Sequence, residues 1–246
     1  LSSSSAASDV YKRQMISHGW TVEEQWFEYR GVQVRNIIGM WEAMGETDYN
    51  ELIILGAHYD TRPVADLDPG DPSLPVPGAN DGASGVAVLL ELARSLASDD
   101  FPVPIWMVFF DAEDSGRIDG WDWIVGSTYY AESLDVNPAA VVVVDMVGDR
   151  DLQLYYEYNS DDELAAEIWQ VGNELGFESF IPEHRYAILD DHIPFINRGW
   201  PAVVLIDFDY PFWHTTEDTL DKVSAESLEQ VGAVLEEWLW KQVDSR

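Results

Sequence analysis

Three acidic residues follow an apolar run near the middle of the chain, and their spacing is suited to chemistry. The run is Trp106–Phe110, and Asp111, Glu113 and Asp114 lie within the next four positions. An apolar run of this length, with a proline before it and a glycine after it, predicts a buried strand. Carboxylates at the end of such a strand lie at the mouth of an α/β sheet, where ligands usually bind. Burying adjacent acids costs several kcal/mol unless a cation or a proton compensates. The alternative is a pair of solvated acids at the start of a loop.

Further candidate residues lie where other predicted strands end or helices begin, so they should converge on one edge of a sheet. These are His58, Asp81, Asp145 and, near the end of the chain, His214. Imidazole and carboxylate ligands without thiolate suit zinc in a catalytic role. A bridging aspartate could hold two metal ions, and Glu113 would then be a general acid or base. Asp60 could accept the second imidazole N–H of His58.

Strand and helix patterns alternate along the chain. Predicted strands cover residues 32–38, 51–57, 106–110, 140–144, 152–158 and 202–206, and predicted helices cover 86–96, 126–133, 160–175, 190–195 and 224–239. This alternation predicts a single α/β domain with a mostly parallel, mixed sheet and helices on both faces. We find neither an internal repeat nor a domain boundary. His192 is expected to bond to the backbone at a helix start rather than to bind a metal.

Composition excludes several classes of function. The chain has no cysteine, which rules out disulfides, thiolate metal sites and cysteine nucleophiles. No apolar run approaches the roughly 20 residues that span a bilayer. The formal charge of −33, from 46 acids against 13 Lys and Arg, repels nucleic acids and anionic lipids. Such a surface suits a saline environment or a cationic substrate, and it leaves the oligomeric state open.

The first residues differ from the rest. Residues 1–14 have no hydrophobic periodicity and no apolar signal-peptide region, and they resemble translated sequencing-adapter sequence. We expect them to be non-native, with the catalytic domain at residues 15–246 and the true N-terminus missing. A signal peptide therefore cannot be judged, and an extracytoplasmic location, periplasmic or secreted, is favoured.

Several motifs occur in the order typical of a known superfamily. Residues 57–61 (AHYDT), 78–85 (GANDGASG), 109–114 (FFDAED) and 213–219 (WHTTEDT) resemble the zinc aminopeptidase superfamily. Residues 190–195 (DDHIPF), 198–202 (RGWPA) and 90–94 (LELAR), with the tryptophan before His214, look most like its glutaminyl cyclase branch. The resemblance runs from about Ser17 to the end of the chain.

The glutaminyl cyclase resemblance implies one catalytic zinc ion and a peptide substrate with an N-terminal glutamine. By this resemblance, the zinc ligands are Asp81, Asp114 and His214, the proton-shuttling acid or base is Glu113, its hydrogen-bonding partners are Asp145 and Asp190, and the substrate pocket is walled by Trp213, Tyr210 and Trp121. The implied reaction forms pyroglutamate and releases ammonia. Asp114 replaces a more common glutamate, and the site should still bind zinc. Leu189 replaces a polar residue of the animal enzymes, so substrate contacts should differ.

Two other interpretations remain open. In the aminopeptidase branch, His58 and Asp145 hold a second zinc ion with Asp81 bridging, and the enzyme hydrolyses the first peptide bond. In the cyclase branch, His58 is a retained structural residue. Non-catalytic receptor-type domains share this fold after losing their metal ligands. The presence of every ligand and of Glu113 argues against such a domain here.

Overall fold

The structure is a computed structural model, and it describes residues 2–42, 51–98 and 101–244. The strands are β1 (Thr21–Tyr29), β2 (Val32–Trp41), β3 (Ile53–His58), β4 (Ile105–Phe110), β5 (Ala140–Asp145), β6 (Leu154–Glu157), β7 (Phe180–Tyr186) and β8 (Ala202–Ile206). The helices are α1 (Ser2–Ser17), α2 (Ala83–Ser98), α3 (Val125–Ser133), α4 (Asp162–Glu174), α5 (Ile193–Asn197) and α6 (Ala225–Asp244). In these ranges, no helix combines the length and the apolar character needed to cross a bilayer.

The main sheet has six strands in the order β1-β2-β4-β3-β5-β8. Strands β4, β3, β5 and β8 are parallel neighbours, whereas β1 and β2 add an antiparallel edge. A separate two-stranded sheet pairs β6 with β7. The mixed α/β architecture predicted from the alternation of strands and helices is therefore confirmed.

Helices cover both faces of the main sheet because the central strands are apolar on both faces. On β3, Ile53 and Leu55 face the core that contains apolar residues of α2, α4 and α6. Ile54, which points to the opposite face, packs in the core that contains residues of α3 and α5. Every residue of β3 and β5 is buried, which explains their continuous apolar sequences.

Strands β1 and β7 were not predicted from the sequence, because neither shows a regular alternation of apolar and polar residues. In β1, Phe27 is the only buried residue, and the strand pairs on one side only, at the edge of the sheet. In β7, only Phe180 is buried. Edge strands rich in charged residues limit unwanted pairing, but the same charges hide the alternation from which a strand is predicted.

Residues 2–17 form α1, so this helix includes most of the segment 1–14 that is expected to be non-native. Met15 is fully buried in the core that contains α2, and the ring of Tyr11 lies 6.1 Å from that of Phe109. Sequence periodicity did not predict this helix, because few of its residues in the range 8–17 are buried. Whether these residues are native stays a prediction.

The helix starts depend on local side chains. Asp161 caps α4, and its carboxylate accepts hydrogen bonds from the amides of Glu163 and Leu164. At the start of α6, the Ser227 amide donates a hydrogen bond to Ser224 Oγ at 3.4 Å.

The start of α2 lies unusually close to β5. A Cβ atom on Gly85 would lie 2.1 Å from the backbone oxygen of Val144, so only glycine allows the helix to approach the strand. This contact fixes the first turn of α2 beside the carboxyl end of β5.

Gly85→Ala should therefore destabilise the protein by about 1–3 kcal/mol, the usual range for overpacking. The matched control is Gly232→Ala in α6, where a Cβ would meet no atom within 4 Å and should stabilise the helix by about 0.5–1 kcal/mol. Urea unfolding measures both. Equal effects of the two substitutions would contradict the packing described here.

Candidate functional site

The candidate residues converge where strands of the main sheet end. His58 and Asp145 are the last residues of β3 and β5, and Glu113 and Asp114 follow β4 within four residues. Asp81 lies just before α2. His58 pairs with Phe110 in the parallel register of β3 and β4, so these chain segments emerge side by side.

Two groups of metal-ligating side chains share Asp81. The first contains Asp81, Asp114 and His214, and the second contains His58, Asp81 and Asp145. Within each group the candidate ligand atoms lie within 4.8 Å of one another, and all the residues are buried. The structure thus brings together every residue that the sequence nominated for either zinc site.

Direct contacts define the two groups. His214 Nε2 lies 3.0 Å from Asp114 Oδ1 and 3.7 Å from Asp81 Oδ2. His58 Nε2 lies 3.0 Å from Asp145 Oδ1 and 3.2 Å from Asp81 Oδ1. Asp81 therefore presents one carboxylate oxygen to each histidine, as a bridging ligand would.

The first group fits a zinc ion. Oδ2 of Asp81 and Oδ2 of Asp114 are buried and accept no hydrogen bond from the described residues, which is unfavourable unless a cation compensates. Burial lowers the pKa of His214 to about 4, so its imidazole is neutral at neutral pH, as metal binding requires. Two carboxylates and one imidazole form the ligand set of an open, catalytic zinc site.

His58 differs from His214 in its electrostatics. Burial lowers the pKa of His58, but the carboxylates of Asp145, Asp60 and Asp81 outweigh this effect and raise it well above the usual value. The imidazole is thus surrounded by negative charge.

Asp60 positions the backbone of the site. Its carboxylate accepts the amides of Glu113 at 3.0 Å and Asp114 at 3.1 Å. The sequence suggested that this carboxylate would accept the second N–H of His58. Instead, the closer partner of His58 Nδ1 is the backbone oxygen of Asp60, at 3.1 Å, and the carboxylate lies 3.5 Å away. The two amides engage both carboxylate oxygens, which explains the difference.

Asp218 positions the backbone at Asp81 in the same way as Asp60 positions that at Glu113 and Asp114. Its role was not predicted from the sequence. Its carboxylate accepts the amides of Asn80 at 2.9 Å and Asp81 at 3.2 Å, and the hydroxyl of Tyr210 at 2.7 Å. Tyr210 is therefore buried behind the site, although it was predicted in the pocket wall. Asp218 belongs to the WHTTEDT motif, which could have drawn attention to it.

Arg62 and Asp66 support His214 from the other side. The Arg62 guanidinium donates to both oxygens of Asp66, at 2.6 and 2.7 Å, and Asp66 Oδ1 lies 3.5 Å from His214 Nδ1. Arg62 also donates to the backbone oxygen of Asp114 at 3.0 Å and lies over the ring of Trp123. A carboxylate behind a ligating histidine orients its ring. Both residues lie in a proline-rich loop that offered no sequence signal.

Glu113, Asp145 and Asp190, which we call the carboxyl cluster, are buried and line one cavity. Burial, together with the neighbouring carboxylates of Asp114, Asp191 and Asp190, raises the pKa of Glu113 well above its usual value. The pKa of Asp145 is raised by burial, and that of Asp190 by burial, Asp145 and Asp191. Burial and neighbouring negative charge therefore both favour the protonated form of these three carboxyls over the ionised form.

The cavity has a volume of about 290 Å³ and combines an acidic floor with an apolar wall. Trp213 lines it, and its ring centroid lies 4.0 Å from that of His214. Trp123 lines it as well, whereas Trp121, the predicted pocket residue, lines a separate cavity beside Asp111. Which of these two tryptophans reaches the cavity depends on the backbone conformation of the loop, which sequence spacing alone does not reveal. Further apolar lining residues are Met146, Ala187, Ile188, Leu189, Ile206 and Phe208.

His192 lies behind this wall and is not bonded to the backbone as predicted. It is fully buried, and its Nε2 lies 3.1 Å from Glu157 Oε2. Glu157 also accepts the amide of Ile188 at 2.6 Å. The buried glutamate needs these partners, and together they tie β6 to the cavity wall.

We predict that His214→Ala removes bound zinc, because it deletes the one imidazole of the first group. The matched control is His184→Ala, since His184 is exposed and, among the acids that the structure describes, contacts only Asp162, at 2.9 Å. Metal content after dialysis, measured by atomic emission, should fall below about one tenth of the wild-type value in the first variant and stay unchanged in the second. Retention of zinc by a folded His214→Ala protein would contradict this ligand set.

Comparisons with known proteins show which enzymes this chain is similar to. Among solved structures, Porphyromonas gingivalis glutaminyl cyclase aligns with a TM-score of 0.88 and 32% identity, over 96% of this chain and 89% of that chain. Aminopeptidase YwaD of Bacillus subtilis is 29% identical over 215 residues, 80% of this chain. The glutaminyl-peptide cyclotransferase of Boiga irregularis is 24% identical over an alignment of 269 residues, 92% of this chain.

The chain spans 42% of the length of the Bacillus enzyme and 71% of that of the Boiga enzyme. A profile of peptidase family M28 matches residues 36–239, which include both ligand groups and the carboxyl cluster. The resemblance to zinc aminopeptidases and glutaminyl cyclases, both of them enzymes, is thereby confirmed. The chain belongs to peptidase family M28.

Proposed function

We propose that this protein is a zinc-dependent glutaminyl-peptide cyclotransferase, which converts an N-terminal glutamine of a peptide to pyroglutamate and releases ammonia. The observation that carries the proposal is the carboxyl cluster beside the Asp81, Asp114 and His214 group, on the floor of a small cavity with an apolar wall. The likeness to glutaminyl cyclases supports it.

The reaction needs a group that moves one proton within the bound substrate. The α-amine nitrogen attacks the γ-carboxamide carbon, a new C–N bond closes the five-membered ring, and the original C–N bond breaks. Glu113 takes the proton from the attacking nitrogen and returns it to the departing nitrogen, which leaves as ammonia. A zinc ion held by Asp81, Asp114 and His214 would polarise the carboxamide oxygen as a Lewis acid.

Asp145 and Asp190 have a supporting role in this scheme. Closely spaced carboxyls cannot all ionise, so the carboxyl cluster shares protons among its members. A shared proton lets Glu113 alternate between base and acid without exchange with bulk solvent. The His58 imidazole, 3.0 Å from Asp145, orients one member of the cluster.

The cavity wall favours the internal nucleophile over water. Ile206, Phe208 and Trp213 present apolar surface to the space in front of the first ligand group, and these side chains offer few partners for an ordered water molecule. A volume of about 290 Å³ suits a single amino-acid side chain. The peptide beyond the first residue must then extend outward.

One alternative is a metallo-aminopeptidase. The second ligand group, His58, Asp81 and Asp145, has the composition of a second zinc site that shares Asp81, and the Bacillus relative is an aminopeptidase. In that scheme Glu113 activates water against the first peptide bond. We favour one zinc ion for the cyclotransferase and two for the aminopeptidase. A periplasmic or secreted location belongs to the same proposal, and fractionation of cells that produce the protein would test it.

The zinc-loaded protein should convert a peptide that begins Gln-Phe to a pyroglutamyl product, which is lighter than the substrate by the mass of one ammonia. A peptide that begins Leu-Phe should stay intact. Mass spectrometry follows both reactions. Glu113→Gln should lower kcat by about 10²–10⁴-fold, the usual contribution of general acid–base catalysis, with zinc content unchanged. The control Glu183→Gln alters an exposed glutamate of β7 and should have no effect. Steady release of leucine without cyclisation would identify an aminopeptidase instead.

A further inference from the structure

The residues that line the cavity are mostly acidic or apolar, and one of them carries a positive charge. Among the described residues that line it, Arg117 is the only Lys or Arg. Its side chain is exposed, and it forms no ion pair with any acid in the part of the chain that the structure describes. In a protein with 46 acids and only 13 Lys and Arg, an unpaired arginine at a cavity mouth is unexpected.

The backbone around Arg117 is held firmly. Its amide donates to the Trp121 oxygen at 2.8 Å. The preceding Gly116 lies so close to Trp123 that a Cβ would fall 2.0 Å from the indole ring, and its oxygen accepts from Arg62 at 3.4 Å. The chain therefore places the guanidinium on a fixed part of the rim.

The other arginine near the site cannot serve the same purpose. Arg62 is buried, bonds to both oxygens of Asp66 and stacks on Trp123. Its charge is already neutralised within the protein. Among the described residues that line the cavity, Arg117 is thus the cation that is free to meet a substrate.

The negative and positive charges lie at different depths of the cavity. The carboxyl cluster on the floor faces a substrate's N-terminal amine, whereas Arg117 stands on the exposed rim, where the rest of the peptide must leave. We propose that Arg117 is a specificity-determining residue that binds a carboxylate in the part of the peptide after its first residue. This carboxylate is either an acidic side chain at the second position or the terminal carboxylate of a dipeptide. The inference rests on the proposed function in one respect, which is that the N-terminal residue of the peptide substrate must occupy this cavity.

Guanidinium groups bind carboxylates with two parallel hydrogen bonds, so the contact selects for this group over a neutral one. The net charge of −33 otherwise repels acidic peptides. Arg117 offsets that repulsion locally, and the preference should weaken as salt screens the exposed pair.

The test compares kcat/KM for Gln-Glu-amide, Gln-Ala-amide, Gln-Lys-amide and Gln-Ala with a free carboxylate. Arg117→Gln should lower the value about five-fold, the upper range for an exposed ion pair, for at least one of the two peptides with a carboxylate. The loss should lie in KM rather than kcat. Gln-Ala-amide should be unaffected. Arg117→Lys should restore only part of the loss, because an ammonium keeps the charge but not the two parallel hydrogen bonds. The control is Arg94→Gln on the exposed surface of α2.

Loss confined to Gln-Glu-amide assigns the side-chain carboxylate, and loss confined to free Gln-Ala assigns the terminal one. An equal loss for all four peptides, or no loss for either carboxylate peptide, would overturn the proposal. If the protein proves to be an aminopeptidase, the same panel with leucine as first residue tests Arg117 separately from the chemistry.

Discussion

The burial of like charges at one edge of the sheet is the constraint on which the site depends. Asp81, Glu113, Asp114, Asp145 and Asp190 are all at least nine-tenths buried, and such groups are stable only if cations or protons compensate them. The chain provides Arg62 and His58 as internal compensation. One carboxylate oxygen of Asp81 and one of Asp114 accept no hydrogen bond from the described residues. A bound zinc ion would compensate their negative charge.

The architecture provides this convergence through parallel strands and backbone amides. Parallel neighbours β3, β4 and β5 bring their carboxyl ends to the same edge, so each delivers a polar residue to one place. Asp60 and Asp218 then fix the two ligand-bearing segments by accepting pairs of amides. These two aspartates contribute geometry rather than ligands, and the carboxyl cluster and the zinc ligands keep their positions because of them.

The sequence was sufficient for the parts of the site that depend on local pattern. His58, Glu113, Asp114 and Asp145 follow apolar runs, and the edge of a parallel sheet is the place such residues must reach. Sequence was not sufficient where loop conformation decides. Trp123 rather than Trp121 reaches the cavity because the loop turns through backbone angles that no spacing encodes, with a φ of 65° at Arg117 and 49° at Asp119.

The same limit applies to partners far apart in the chain. Arg62, Asp66 and Asp218 contact the ligands through the folded structure, and β1 and β7 form by pairing rather than by their own hydrophobic pattern. The sequence shows that Arg117 is charged. It does not show that Arg117 lies at the cavity mouth without an ion pair to any described acid, because this depends on where the neighbouring acids lie in the folded protein.

The two candidate reactions differ most in their nucleophile, which is the substrate's own amine in one and water in the other. The most direct test is therefore to run the zinc-loaded protein on a Gln-Phe peptide in water enriched with oxygen-18, and to analyse the products by mass spectrometry. The account predicts a pyroglutamyl peptide with no heavy oxygen. Free glutamine carrying oxygen-18 in its carboxylate would contradict it and would identify hydrolysis as the reaction.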